Sequence, residues 1–245
     1  MPTSLTQILN VARSGMLARL TDLDLVSNNL ANINTNGYKS SRSNFQELLN
    51  DRRYSGVQIR STQQFMDPGQ VKHTDSPLDL AVSGSGFFAL TLPDGRTAYT
   101  RDGQFELDSQ RRIVSASGYP LVWQGQIPQD ASDVSIFPDG AVMVLQGETW
   151  NEAGRIQLSR FPNATALQGY GQNLWLETPA SGAAQAGAPG SEGYGQLLSR
   201  ALEGSNVNMA NEMSQLVTLQ RSFQMSLRTF QTTDTMLSQA IHLRR

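Results

Sequence analysis

Two long heptad patterns stand at opposite ends of this chain, and they constrain its fold more than any other feature. Leu5, Leu9, Ala12, Met16, Arg19, Leu23, Val26 and Leu30 recur at alternating steps of four and three, with Arg19 the single polar member. That spacing puts one stripe on one face of an α-helix. Met209, Met213, Leu216, Gln220, Phe223, Leu227, Phe230, Asp234, Leu237 and Ile241 repeat it, interrupted only by Gln220 and Asp234. A helix of roughly 35 residues extends about 52 Å, more than a small globule can cover. Such helices are expected to form a coiled coil, with each other or with neighbours. Thr3 or Ser4 is the expected cap of the first helix and Ser205 or Asn206 that of the second. Glu212 lies early in the second helix, where its charge suits the dipole. The segment Asn34-Thr35-Asn36-Gly37 supplies the stop for the first.

Between the helices the period changes. Short apolar runs at Leu80–Val82, Phe87–Leu92, Ala98–Thr100, Phe105–Leu107, Ile113–Val114, Leu121–Trp123, Val134–Phe137, Ala141–Leu145 and Ile156–Leu158 read as strands. Pro93-Asp94-Gly95, Asp102-Gly103 and Pro138-Asp139-Gly140 read as hairpin turns between them. Evenly spaced short strands predict an antiparallel sandwich or barrel. Residues 38–76 are polar and weakly periodic, an extended linker with room for one or two strands. Residues 179–195, rich in Gly, Ala and Ser, read as a flexible surface loop. The expected class is therefore α+β: two long terminal α-helices in a coiled-coil layer, with an inserted, mainly antiparallel β-domain. The expected divisions are 1–36 with 205–245 for the helices, 37–77 with 178–204 for the linker and 78–177 for the β-domain.

Charge follows the same division. Residues 1–60 and 205–245 carry net charges of +3 and +2, and the middle carries −7, for a total of −2. A generally basic nucleic-acid binder is excluded. No apolar run is long enough to span a bilayer, and the first residues lack the pattern of a cleaved secretory signal. Cysteine is absent, which removes disulfides, thiol nucleophiles and thiolate metal sites. His73 and His242 are the only histidines and lie far apart, so neither a metal pair nor a Ser-His-Asp triad is supported. Ser83-Gly84-Ser85-Gly86 runs into a strand, where a phosphate loop would open a helix, and reads as a tight turn. Asn163-Ala164-Thr165 matches the glycosylation triplet without other support. Neither a catalytic residue nor a cofactor is expected.

Three stretches together carry a resemblance. Asn28-Asn29-Leu30-Ala31-Asn32-Ile33-Asn34-Thr35-Asn36-Gly37-Tyr38-Lys39 resembles the N-terminal signature of bacterial flagellar rod and hook proteins. Gly84-Ser85-Gly86-Phe87-Phe88, with Tyr99-Thr100-Arg101-Asp102-Gly103-Gln104-Phe105, is similar to the opening of their β-domain. Glu203-Gly204-Ser205-Asn206-Val207-Asn208, with Glu212-Met213 and Gln220-Arg221-Ser222-Phe223, is similar to their C-terminal signature. Asp67-Pro68-Gly69-Gln70 and Pro77-Leu78-Asp79 resemble the proximal, FlgF-type rod proteins. Phe45-Gln46-Glu47-Leu48-Leu49 and the Gly-Phe-Phe strand resemble the distal, FlgG-type ones.

The resemblance implies an axial subunit of the periplasm-spanning flagellar rod, exported by the type III apparatus without a cleaved signal. Its partners would be further copies of itself, neighbouring rod or hook proteins and that apparatus, with no nucleic acid and no membrane insertion. The termini would pack in the core of a helical tube, and the expected assembly residues are Leu9, Met16, Leu23, Asn29, Leu30, Asn32, Leu216, Gln220, Phe223, Leu227 and Phe230. A rival reading is an extracytoplasmic β-domain binding module or hydrolase with a helical oligomerisation stalk. The seams also suggest an antiparallel register in which paired residue numbers sum to 239, setting Leu30 on Met209 and Arg19 on Gln220.

Overall fold

The computed structural model describes residues 2–50 and 53–242, with the side chains of 2–10, 45–50, 53–61, 237 and 240–242 left aside. The chain forms two compact units. One comprises residues 1–32, 40–65 and 207–245, and the other residues 33–39 and 66–206.

The first unit holds helix α1 (Pro2–Ala31), a hairpin of strands β1 (Ser41–Asn50) and β2 (Arg53–Gln64), and helix α2 (Met209–His242). Helix α1 ends where Asn32 turns back, its backbone N–H and its side-chain Nδ2 both donating to the Asn28 carbonyl at 3.1 and 2.9 Å. Helix α2 starts later than its sequence suggested. Asn208 is its cap, with Oδ1 accepting from the Asn211 N–H at 3.1 Å. Ser205 and Asn206 fall before the helix, and Asn206 is held by Tyr38 and Asp67 through its own N–H and Nδ2. Thr218, Thr229, Thr232, Thr233 and Thr235 each return a hydroxyl to the carbonyl four residues back. Their polar groups are thus satisfied along the helix itself.

The hairpin supplies the one or two strands for which the expected linker left room. Pairing runs antiparallel from Ser41 opposite Gln64 to Asn50 opposite Arg53, with irregularities at Asn44/Phe45 and Leu48/Leu49. Its residues alternate too weakly to announce strands, and both strands pack on α1. An isolated two-stranded hairpin is marginal in water, so α1 supplies the surface that its own sequence does not advertise.

The second unit is mainly β, its strands paired antiparallel, with one short 3-10 helix at Ala164–Ala166. One four-stranded sheet has the order Ala131–Ile136, Ala141–Gln146, Thr149–Ile156, Trp123–Gly125. The other has the order Gln168–Gly171, Leu174–Leu176, Thr97–Thr100, Phe88–Thr91. The continuous apolar run Phe87–Leu90 has a direct explanation: both of its faces are covered. Phe88 and Leu90 enter a large core with Leu80, Phe105, Ile113, Val142 and Ile156. Phe87 and Ala89 point the other way, into a second core with Tyr99, Phe161, Leu167 and Trp175. Edge-to-face aromatic pairs build that second core, with Tyr99 and Phe161 centroids 4.7 Å apart.

Two of the three expected hairpins form. Gly95 and Gly140 take positive φ in tight turns, their N–H groups donating to Leu92 and Phe137 carbonyls at 3.0 and 2.9 Å. Asp102-Gly103 is not a hairpin. The strand before it pairs within the second sheet, and Phe105–Leu107 pairs instead with Ile113–Ser115. Gly103 is required because its carbonyl accepts from the Leu80 N–H at 3.0 Å, and a Cβ there would lie 1.6 Å from the Leu80 carbonyl oxygen. Strands also continue past residue 177. Gln196–Ser199 pairs with Leu80–Ser83, and Ala201–Glu203 pairs with Val71–His73.

Candidate functional site

The candidate site is the surface of the helical unit. Within that unit α1 and α2 run antiparallel, the end of α1 meeting the start of α2. Asn29 is 1% exposed. Its Nδ2 donates to the Ser41 carbonyl at 3.0 Å and to Glu212 Oε2 at 3.4 Å, while its Oδ1 accepts from the Ser41 N–H at 3.0 Å. One amide therefore ties α1 to β1 and to α2. Two helical turns earlier, Ser43 donates its hydroxyl to buried Asp22, which also faces Arg19 at 3.6 Å. A cavity of about 280 Å³ opens beside these groups, lined by Val26, Asn29, Ser43, Glu212, Gln215 and Leu219 among others.

The buried faces are accordingly Ala18, Asp22, Val26 and Asn29 on α1 and Glu212, Leu219 and Thr233 on α2. Asn29 opposite Glu212 gives a sum of 241, against the expected 239. At 100° per residue the buried faces are centred about a quarter turn from the heptad stripes, with Val26 belonging to both. The heptad reading followed apolar residues, whereas the intrachain seam is selected in good part by polar ones that bond to the hairpin.

The α2 stripe stays largely uncovered, whereas the described members of the α1 stripe are half-buried apart from buried Val26 and exposed Arg19. Met209, Met213 and Leu227 are 54%, 44% and 40% exposed, and Val217 and Phe230 are exposed beside them. Gln220 is exposed, Leu216 and Phe223 are half-buried, and on α1 Met16, Leu23 and Leu30 are half-buried and Val26 is buried while Arg19 is exposed; Asn32, just past α1, is half-buried. The side chains of Leu5, Leu9, Leu237 and Ile241 lie outside the described residues. The unit thus presents a row of apolar side chains on α2 next to the face already packed within the chain, a pattern that marks a surface for association.

The second unit contains a buried ion cluster. Glu203 is 1% exposed, and Lys39 and Arg101 are also buried. Lys39 Nζ donates to Glu203 Oε1 at 2.5 Å and to the Asp67 carbonyl at 2.8 Å. Arg101 Nη1 donates to Glu203 Oε2 at 3.2 Å, and Nη2 donates to the Gly84 carbonyl at 2.7 Å. The Gly69 N–H adds a third donor to the carboxylate at 2.9 Å, and the Arg101 guanidinium stacks 5.1 Å from the Phe87 ring centroid. The Gly37 N–H reaches the Glu203 carbonyl at 2.7 Å. Burial pushes both the Lys39 amine and the Arg101 guanidinium below their usual ranges, and Glu203 pulls each back up. The cluster fastens together the segment entering this unit, the segment leaving it and the strand between them. All three residues lie inside the motifs quoted above, but a charge within a motif does not say whom it meets.

Among the described residues, the other candidate motifs gather no reactive groups. His73 stands on an exposed strand, and the side chain of His242 lies outside the described residues. Among the described residues, no group of three His, Asp or Glu is placed to hold a metal. No described helix is long and apolar enough to cross a membrane. Gly84 and Gly86 take positive φ in a turn whose Gly84 carbonyl serves Arg101.

Comparison with known proteins gives these features a family. Residues 9–39 match the flagella basal body rod protein family, 81–144 the flagellar hook protein FlgE/F/G D1 domain and 198–243 the flagellar basal body rod FlgEFG protein C-terminal family. Each matched segment contributes one member of the buried cluster: Lys39, Arg101 and Glu203. The flagellar basal-body rod protein FlgG of Caulobacter vibrioides is 41% identical, over 97% of this chain and 99% of its own length. The FlgG proteins of Borreliella burgdorferi and Bacillus subtilis are 37% and 34% identical, over 96% and 95% of this chain and 97% of their own lengths. On this near full-length similarity, the chain belongs to the family of bacterial flagellar basal-body rod proteins.

Proposed function

We propose that this chain polymerises through its terminal helices into the helical tube of the flagellar rod, which transmits torque and encloses the export channel. It is a structural axial subunit and not an enzyme, and the relatives' shared description as FlgG favours the FlgG type over the FlgF type. Its partners are further copies of itself and adjoining rod or hook proteins. It reaches the periplasm-spanning rod through the type III apparatus without cleavage of a signal. The observation that carries the assembly mode is the apolar stripe Met209, Met213, Val217 and Leu227, exposed beside an already packed seam. Two long helices that bury only one face each need neighbours to cover the next, which is the coiled-coil layer the heptads imply.

The assembly residues on this reading are Leu9, Met16, Leu23, Leu30, Asn32, Leu216, Gln220, Phe223, Leu227 and Phe230. Asn29 is assigned a different task, holding α1, α2 and β1 together inside one copy. The reading as a stalked binding module or hydrolase has no support from relatives named as rod proteins. Leu227→Asp tests the proposal. Its side chain is 40% exposed, so the thermal melt of the free chain should stay within about 0.5 kcal/mol of the parent, while incorporation into rods and motility are lost. Normal incorporation would sink the assembly mode.

A further inference from the structure

Cysteine is absent, so every sulfur in the chain is a methionine thioether, eight in all. Four of them stand on α2, and all four are exposed: Met209, Met213, Met225 and Met236, the last two at 62% and 63%. They fall on different faces. Met209 and Met213 are neighbours one turn apart and open the apolar stripe. Counting 100° per residue, Met225 and Met236 lie about 160° and 180° around the helix from Met209. Met16, Met66 and Met143 are half-buried.

We propose that Met209 and Met213 form an oxidation-sensitive site that a hydroperoxide modifies on the free subunit, blocking assembly. This rests on the stripe being the surface between copies. In the reaction a Sδ lone pair attacks one peroxide oxygen, the S–O bond forms and the O–O bond breaks. The hydrogen on the transferred oxygen moves to the departing oxygen, which leaves as water from hydrogen peroxide or as an alcohol from an organic hydroperoxide. Sulfur gives up two electrons and the peroxide takes them. The product sulfoxide is polar and chiral where the thioether was flexible and apolar. Placed among Val217 and Leu227, its S=O carries a strongly polar group into an apolar contact. Met225 and Met236 are at least as open to the oxidant but lie off the stripe, so their oxidation leaves assembly intact. Once the stripe is covered, Met209 and Met213 are shielded, and the sensitivity belongs to the subunit before incorporation.

The test uses the full chain and hydrogen peroxide, with sulfoxides mapped by peptide mass spectrometry. Two variants are treated: Met225→Leu/Met236→Leu, which keeps the stripe sulfurs, and Met209→Leu/Met213→Leu, which lacks them. Each is then added to isolated basal bodies that lack this subunit, and incorporation is measured. The first should lose incorporation at least about tenfold and regain it after treatment with the two methionine sulfoxide reductases. The second should incorporate as well treated as untreated. Retention by the first, or equal loss by the second, overturns the proposal. Untreated Leu227→Asp in the same assay separates the two levels. If it is excluded while the oxidised first variant is incorporated, the oxidation site alone fails. If it is incorporated, the stripe itself is not the assembly surface.

Discussion

Replacing Glu203 by Gln is the sharpest perturbation of the β unit. The carboxylate accepts from Lys39 at 2.5 Å, Gly69 at 2.9 Å and Arg101 at 3.2 Å, and all three charged groups are buried. Glutamine keeps the shape but presents an NH₂ group to one of two cations and neutralises neither. Losing the counter-charge of a buried pair costs about 3–5 kcal/mol. For a body of this size that is a fall in Tm of roughly 6–20 °C. Lys39→Met is the informative companion. It leaves Glu203 with Arg101 and the Gly69 N–H, so no buried charge is abandoned, and it should cost about 1–3 kcal/mol. Urea unfolding of the full chain, followed by fluorescence of buried Trp175, reads both. The ordering should survive about 1 M salt, because screening acts weakly on buried charges. A loss below about 1 kcal/mol for Glu203→Gln, or a larger loss for Lys39→Met, would refute the reasoning.

Three further outcomes follow from single residues. Asn29→Ala removes the amide shared by Ser41 and Glu212 and leaves buried groups without partners; it should destabilise the helical unit by about 2–3 kcal/mol, read as faster hydrogen exchange in α2. Gly37→Ala should cost at least about 2 kcal/mol in the Trp175 unfolding midpoint, since φ is +66° and the new Cβ would meet the Asp102 nitrogen at 2.4 Å. Burial foremost, with the charge of Asp79 adding, raises the Asp102 carboxyl above its ordinary 3.8, against the opposing bond from the Gln104 N–H. The folded chain then holds that proton more tightly than the unfolded one, so the Asp102 contribution falls as pH rises above 3.8 through the folded value. Asp102→Asn should therefore stabilise at neutral pH, and the gain should vanish at about pH 3; urea midpoints at both pH values check it.

What the sequence disclosed depended on the range of the signal. The helices and most central strands were readable because their periods are local, and Pro-Asp-Gly marks its turns without outside help. The strands at Gln196–Ser199 and Ala201–Glu203 were not, because they are made by partners more than a hundred residues away. Asp102-Gly103 misled for the complementary reason. Its glycine answers a close backbone approach from Leu80, not a turn. The helix faces divide the same way. An apolar heptad identifies where a helix wants cover but not which neighbour gives it. In this chain Asn29, Asp22 and Glu212, polar residues that a heptad search discounts, take the intrachain seam.

The assembly surface itself is tested most directly by thiol labelling, which the absence of cysteine makes clean. Leu227→Cys and Met213→Cys, in separate full-length chains, are exposed to a maleimide before and after incorporation into rods, with Thr229→Cys as a control about 160° around the helix from Leu227. If the stripe is the surface between copies, Leu227→Cys and Met213→Cys label readily in the free chain and become protected in the rod. Equal labelling of Leu227→Cys and Met213→Cys in free chain and rod would contradict it.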